Sequence, residues 1–273
     1  MTPADPAGPD EIAAAGVLVE RTGPVLTVTL DRPEVRNAQT PAMWRALAAV
    51  GESVDDTVRV VVLRGSGHSF SAGLDRAMLD PSAAGGAVET VAGLLASSDE
   101  EMAATIDAYQ RGFTWLRDPR FVSIAAVQGY AIGAGFQLAL GCDLRVATDD
   151  ALFCMKESAL GLVPDLAGTK PLVECVGYAR ALEICATARM VGADEAQQIG
   201  LVATVVPAEL LDATVADLAG ALTAPMAGAV RETKALLQGA ADRSLDDQRR
   251  LEREAQVRRF RDVSRVLAGD AVH

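Results

Sequence analysis

The sequence predicts an α/β fold that ends in a purely helical region, and three features lead to that expectation. The β-branched runs VRVVVLRGSG (58–67) and VSIAAVQGY (122–130) are too apolar and too short for amphipathic helices, and they end at glycine as buried parallel strands do. Helical patterns lie between them, which makes βαβ units. From residue 208 onward the pattern is helical throughout. A length of 273 residues with 50% hydrophobic content is enough for one large core or two small ones.

Taken in order, VLVERTGPVLTVTL (17–30) reads as two β segments around a Thr-Gly-Pro turn, a hairpin. After DRPEVRNAQTP a helix is expected over about 40–53, then the strand 58–63. Residues 78–118 read as an Ala/Gly/Ser-rich variable loop followed by a helix through MAATIDAYQRGFTWL. Strand, turn and helix recur over 122–142. LRVAT (144–148) is a further strand, helical segments cover about 169–190 and 193–199, and GLVATVVP (200–207) supplies another strand. The charge-dense DRSLDDQRRLEREAQVRRFRDVSRV carries a thin apolar stripe (Leu245, Leu251, Ala255, Val263), the mark of a solvated helix or of one packed on a neighbouring subunit. The expected division is a loose N-terminal arm (1–14), an α/β core (15–200) and a helical C-terminal part (201–273).

Charge and motifs exclude several functions. Acidic residues outnumber basic ones by 37 to 25, so the formal charge of −12 opposes nucleic acid and anionic membrane surfaces. Phe121 to Cys142 is a 22-residue run without a formal charge, but its two glutamines and four glycines fit a buried strand, turn and helix better than a membrane span. The N-terminus has neither a basic region nor an apolar stretch, so a cytoplasmic chain is expected. Cys142, Cys154, Cys175 and Cys185 form no CxxC pair and read as buried, unreactive thiols. GHSFS (67–71) is one residue from a nucleophile elbow, yet only His68 and His273 exist and neither is placed to be a triad base. GAG (133–135) lacks the third glycine of a dinucleotide loop, and no metal-ligand spacing occurs.

Two stretches combine a buried strand, a glycine turn and a helix start: HSFSAGLD (68–75) and GYAIGAGFQ (129–137). Each leaves backbone N–H groups free at a turn or helix N-terminus, where they can meet an anion or a developing oxyanion, although each can also be no more than a tight connection. Downstream, ALFCMKESALGLVPDLAGTKPL sets Glu157 and Asp165 eight positions apart in otherwise apolar surroundings. Carboxylates so placed have raised pKa values and can move protons near neutral pH.

From about Val17 to Glu254 these segments resemble the enoyl-CoA hydratase/isomerase (crotonase) superfamily. The matching motifs are RPEVRNA (32–38), SFSAGLD (69–75), VQGYAIGAGFQLALGCDLRVAT (127–148), ESALGLVPDLAGT (157–169) and YARALEICATARMVGADEAQQIGLVATVVP (178–207), in that order. The resemblance implies a spiral of ββα units with a helical C-terminal trimerisation region, assembled as a homotrimer or hexamer. It also implies an acyl-CoA thioester as substrate, coenzyme A arriving as part of it with no separate cofactor. The backbone N–H groups of Leu74 and Ala134 would hold the thioester oxygen, and Glu157 would transfer the proton. Arg36, Ala38, Ser71, Ala72, Gly73, Asp75, Gly133 and Pro164 would line the CoA and acyl pocket, with a surface charge an equal reading of Arg36.

Departures from the family pattern sharpen the expectation. Where hydratases of the family carry a second glutamate, this chain has Gln137, which can position a water but cannot transfer a proton. Isomerisation of an enoyl double bond by Glu157 alone is therefore favoured over two-carboxylate hydration. Asp165 matches an aspartate of dienoyl-CoA isomerases and 3-hydroxyisobutyryl-CoA hydrolases of the superfamily, or else caps a helix beginning near Ala167. Hydrolysis of a hydroxyacyl-CoA and simple acyl-CoA binding are the competing functions. The last residues, VLAGDAVH, lack the Lys/Arg-Pro-Phe-like tail of many relatives, from which either weaker CoA binding or a ligand held differently is expected.

Overall fold

The computed structural model describes residues 8–79 and 89–268. Helix α1 (Pro9–Ala14) comes first and buries Ile12, so residues 9–14 are not the loose arm the composition suggested. Strands β1 (Val17–Thr22) and β2 (Val25–Leu30) form the expected antiparallel hairpin. Helix α2 (Pro41–Ser53) is N-capped by Thr40, whose hydroxyl accepts from the Met43 N–H. Strand β3 (Val60–Gly65) begins two residues later than expected and runs parallel to β2. Helices α3 (Val91–Leu95) and α4 (Asp99–Thr114) follow, the second started by a Ser98/Glu101 capping box.

The uncharged run resolves into β4 (Val122–Val127), β5 (Tyr130–Ile132) and α5 (Ala134–Gly141), all three short. Among the described residues no single helix is long and apolar enough to cross a membrane. Then come β6 (Leu144–Thr148) and β7 (Leu152–Cys154). The helical stretch expected over 169–190 is broken at Gly177, whose φ of 76° ends α6 (Thr169–Val176) before α7 (Tyr178–Thr187). Strand β8 (Val191–Gly192), α8 (Ala193–Gln198) and β9 (Thr204–Val206) close the core. The C-terminal helices are α9 (Leu211–Thr223), α10 (Ala227–Gln238) and α11 (Leu245–Leu267).

In the main sheet the order is β1-β2-β3-β4-β6-β9, parallel from β2 onward. Because β9 is a strand of this sheet, the core extends past the expected boundary at 201. Both faces are covered, which is why β3 and β4 read as continuous apolar runs. Val28, Leu63, Ala125 and Ala147 face the large core with α2, α4 and α5, while Val60, Val62, Ile124 and Val146 face Leu211, Val215 and Ala219 of α9. A smaller sheet, β5-β7-β8, lies beside it; two- and three-residue strands such as β7 and β8 leave no periodic signal. Of the stripe on α11, Ala255 is buried, but Leu245 and Val263 are exposed.

Two buried cations lock the helices to the sheet. Arg145 of β6 donates to the carbonyls of Ala139 and Cys142 at the end of α5, and to Leu201. Lys234 of α10 donates through Nζ to the carbonyls of Asp118 and Phe121 and to Asp143 Oδ2, each at 2.7 Å. Burial pulls the Lys234 ammonium below its ordinary pKa, and Asp143 offsets this. Cys142 is buried, its thiol pushed up to about 12 by burial, but Cys175 and Cys185 are only half-buried. Replacing Lys234 by Ala leaves Asp143 uncompensated beside Ser123, and denaturant unfolding is expected to show a loss of about 3–5 kcal/mol.

Candidate active site

The two glycine turns meet side by side. Ser71 pairs with Ala131: its N–H donates to Tyr130 O, and the Ile132 N–H donates to Ser71 O. Three residues on, Leu74 pairs with Gln39 through bonds from the Gln39 and Asp75 N–H groups, which leaves the Leu74 N–H itself facing away from Gln39. Gly73, at φ 88°, is pressed against the second turn; a Cβ there would lie 2.4 Å from Ile132 O and 3.5 Å from Ala134 N. In that second turn Gly133 has φ 51° and ψ −118°, a conformation only glycine adopts easily, and Ala134 is the first residue of α5. First-turn amides of a helix have no internal acceptor. Among the described residues neither the Leu74 nor the Ala134 N–H has an acceptor, so two donors remain for an oxyanion.

A buried polar chain, which the sequence did not reveal, shapes the first turn. Asn37 is wholly buried at φ 52°, accepts from the Arg32 N–H, and donates through Nδ2 to the carbonyls of Ser66 and Ser69. Ser71 Oγ donates to Asn37 O and accepts from Gln39 Nε2 and the Gly73 N–H. Gln39 in turn accepts from the Trp44 indole at 2.8 Å. Ser71 is thus a brace behind the turn, not a pocket wall. Asp75 is likewise engaged: burial opposes its ionisation, but the Ala77 N–H and Arg32 hold its carboxyl below the usual range. The only hint of this network in the sequence is an asparagine within an αL-prone loop.

Glu157 opens a 3₁₀ turn after β7 and is buried with its carboxylate against Gly133, whose Cβ, if present, would lie 3.3 Å from Oε1. Gln137, one turn into α5 and 1% exposed, donates through Nε2 to Glu157 Oε1 at 2.7 Å. Its own Oε1 accepts from the N–H groups of Leu166 (2.9 Å) and Gly168 (3.3 Å). The water-positioning role expected of Gln137 is therefore not what the geometry shows, since the amide oxygen is committed to backbone. Glu157 Oε2 is buried and has no partner among the described residues. Burial raises the Glu157 pKa, the Gln137 hydrogen bond lowers it, and the nearby Asp165 charge raises it. Asp165 is itself raised by burial. Helix α6 starts at Thr169 with Gly168 as N-cap and no side-chain cap, so Asp165 is not the capping residue that its position suggested.

The other expected pocket residues gather around these turns. Ala38 is buried, Ala72 donates its N–H to Arg36 O, and half-buried Pro164 precedes Asp165. Arg36 is exposed at φ 54° with its guanidinium 5.4 Å from the Tyr130 ring centroid, beside a cavity of about 470 Å³ also lined by His68 and Leu152. His68 is exposed, and His273 lies outside the described residues.

Comparison with known proteins adds independent observations. Residues 20–266 match the family model described as enoyl-CoA hydratase/isomerase. A probable enoyl-CoA hydratase of Mycobacterium bovis is 32% identical over 85% of this chain and 84% of its own. The mitochondrial Δ3,5-Δ2,4-dienoyl-CoA isomerase of Rattus norvegicus is 34% identical over 82% of this chain and 68% of its own. A putative enoyl-CoA hydratase from Thermobifida fusca, crystallised with acetoacetyl-CoA, is 48% identical over 95% of this chain and all of that one, with a TM-score of 0.89.

Gly73→Ala tests the contact between the turns: the added Cβ must push Leu74 away from Ala134. The expected outcome is a loss of about 100-fold or more in kcat/KM with an acyl-CoA substrate, the size of one lost oxyanion donor, while circular dichroism still shows a folded protein.

Proposed function

The chain belongs to the enoyl-CoA hydratase/isomerase family of the crotonase superfamily, and on that premise we propose that it moves protons at the carbon next to an acyl-CoA thioester, with double-bond isomerisation favoured over two-carboxylate hydration. The observation that carries this reading is the site's single acid-base arrangement. The Glu157 carboxylate lies against Gly133 with Oε2 buried and without a hydrogen-bond partner among the described residues, and the position where a second carboxylate would act holds the amide of Gln137.

In this reading the thioester oxygen accepts from the Leu74 and Ala134 N–H groups. Glu157 takes a proton from C2 of a 3-enoyl thioester; the C–H electron pair becomes a C1–C2 double bond, the carbonyl pair moves onto that oxygen, and the C3–C4 double bond is kept, giving a dienolate. The same carboxyl returns the proton to C4: the C3–C4 pair forms the new C–H bond, the C1–C2 pair becomes the C2–C3 double bond, and the oxyanion reverts to a carbonyl. Fixed N–H dipoles aimed at the developing charge lower the barrier without reorganising. Coenzyme A enters as part of the substrate, and no separate cofactor takes part. Assembly as a homotrimer or hexamer belongs to the same proposal, with exposed Leu245, Val257 and Phe260 of α11 as apolar surface to be covered.

A second reading is supported by Asp165, a carboxylate that caps nothing and lies close enough to raise Glu157. Together the pair would activate water on a hydroxyacyl-CoA thioester and release free CoA thiol. Loss of thiol release in Asp165→Asn would support it. Tight acyl-CoA binding without turnover of 2-enoyl, 3-enoyl or hydroxyacyl thioesters would instead mark a binding protein.

Two outcomes check the main reading. Glu157→Gln is expected to lower kcat/KM for 3-enoyl-CoA by about 10²–10⁴-fold, followed by the absorbance of the conjugated product. Because Glu157 must be ionised to act and burial holds its pKa above the ordinary range, kcat/KM of the native protein should rise with pH through a value above that of a free glutamate. Gln137→Glu supplies the missing second carboxylate and is expected to raise hydration of 2-enoyl-CoA, measured as loss of the enoyl absorbance.

A further inference from the structure

The Gln137 side chain is held on every side. Two backbone N–H groups, from Leu166 and Gly168, point at its oxygen, so its nitrogen must face the Glu157 carboxylate. The turn that carries those N–H groups is shaped around it: Ala167 sits at φ 63°, and a Cβ on Gly168 would lie 2.6 Å from Gln137 Cγ. The amide oxygen accepts from two backbone N–H groups, the nitrogen donates to Glu157, and the residue is 1% exposed.

We propose that Gln137 is the positioning residue of the proton-transfer site: by holding Glu157 Oε1 it fixes the carboxylate plane and leaves Oε2 as the one oxygen that meets the substrate. The inference rests on the reading of Glu157 as the base. Donation from Leu166 and Gly168 to the amide oxygen polarises the amide and strengthens its N–H as a donor to Glu157. That donor favours the charged carboxylate and works against two forces that would neutralise it, burial and the Asp165 charge. Gln137 thereby transmits the geometry of the 166–168 turn to the base. It cannot exchange a proton itself, so position 137 adds no acid-base group and gives Glu157 one orientation.

The test uses two variants of the full chain. Gln137→Met keeps the length and removes the amide. Gln137→Glu keeps an acceptor for Leu166 and Gly168 and donates to Glu157 only while protonated. Glu157 is titrated in the free protein by carbon-13 NMR of labelled glutamate, its signal assigned by loss in Glu157→Gln, and kcat/KM for 3-enoyl-CoA is followed against pH. In Gln137→Met the Glu157 titration should move to higher pH, the rising limb of kcat/KM should move with it, and kcat at neutral pH should fall by about tenfold or more with little change in KM. In Gln137→Glu the two carboxyls share one proton, and isomerase activity should be lost as pH rises and that proton leaves. An unmoved Glu157 titration, or an activity loss equal at every pH, overturns the proposal. If Gln137→Met does not fold, Gln137→Glu decides. If the native protein turns over no enoyl-CoA, the NMR titration still decides the positioning role, while the proposed activity falls alone.

Discussion

The site depends on one close contact, the seating of the Gly73 turn against the Ile132 carbonyl and the start of α5. Without a side chain at Gly73 the two strand-to-helix connections come within van der Waals range, and the Ser71–Ala131 bridge keeps them in register. Two N–H groups from segments 60 residues apart in sequence then converge, since Leu74 has turned its amide away from Gln39 and Ala134 is the first residue of a helix. A donor pair of this kind has value only if it does not move during reaction. The buried chain from Trp44 through Gln39, Ser71 and Asn37 supplies that rigidity behind the first turn. Arg145, bonded to the last carbonyls of α5, secures the second from the opposite end of the helix.

Electrostatics at Glu157 are a balance of opposed effects. Removal from water and the neighbouring Asp165 both favour the neutral acid, while the Gln137 amide favours the anion. In the proposed reaction Glu157 must be ionised to take the proton and must then give it back, so a pKa raised above the ordinary glutamate value suits that task. Substituting an amide where a second acid would stand removes one proton-transfer group and adds a fixed dipole. In the proposed reading, chemistry is narrowed and geometry is tightened by the same residue.

Farther out, Lys234 does for the C-terminal helices what Arg145 does for α5. It satisfies two carbonyls and a carboxylate at once, which is how a buried ammonium becomes tolerable. Because Asp143 also accepts from Ser123 at the start of β4, the strand that leads into the second turn is tied to α10 through a single carboxylate.

Much of this was legible from residue order. Apolar runs ending in glycine identified β3, β4 and the turns, and an acid in an apolar stretch marked Glu157, because burial on both sheet faces and positive-φ turns restrict which residues are allowed locally. Partners distant in sequence were not legible. Nothing in the sequence singled out Asn37 and Gln39, whose partners Ser66, Ser69 and Ser71 are brought to them by the fold. Of the two readings of Asp165, the helix cap fell because α6 starts at Thr169 with Gly168 as its N-cap, and β7 and β8 were too short to show periodicity. The sequence by itself determined the fold class, the two glycine turns and the acid, Glu157, that lies beside them. Only the tertiary structure decided that Gln137 faces Glu157, because that hydrogen bond depends on where three separate backbone segments meet, and no local pattern encodes that.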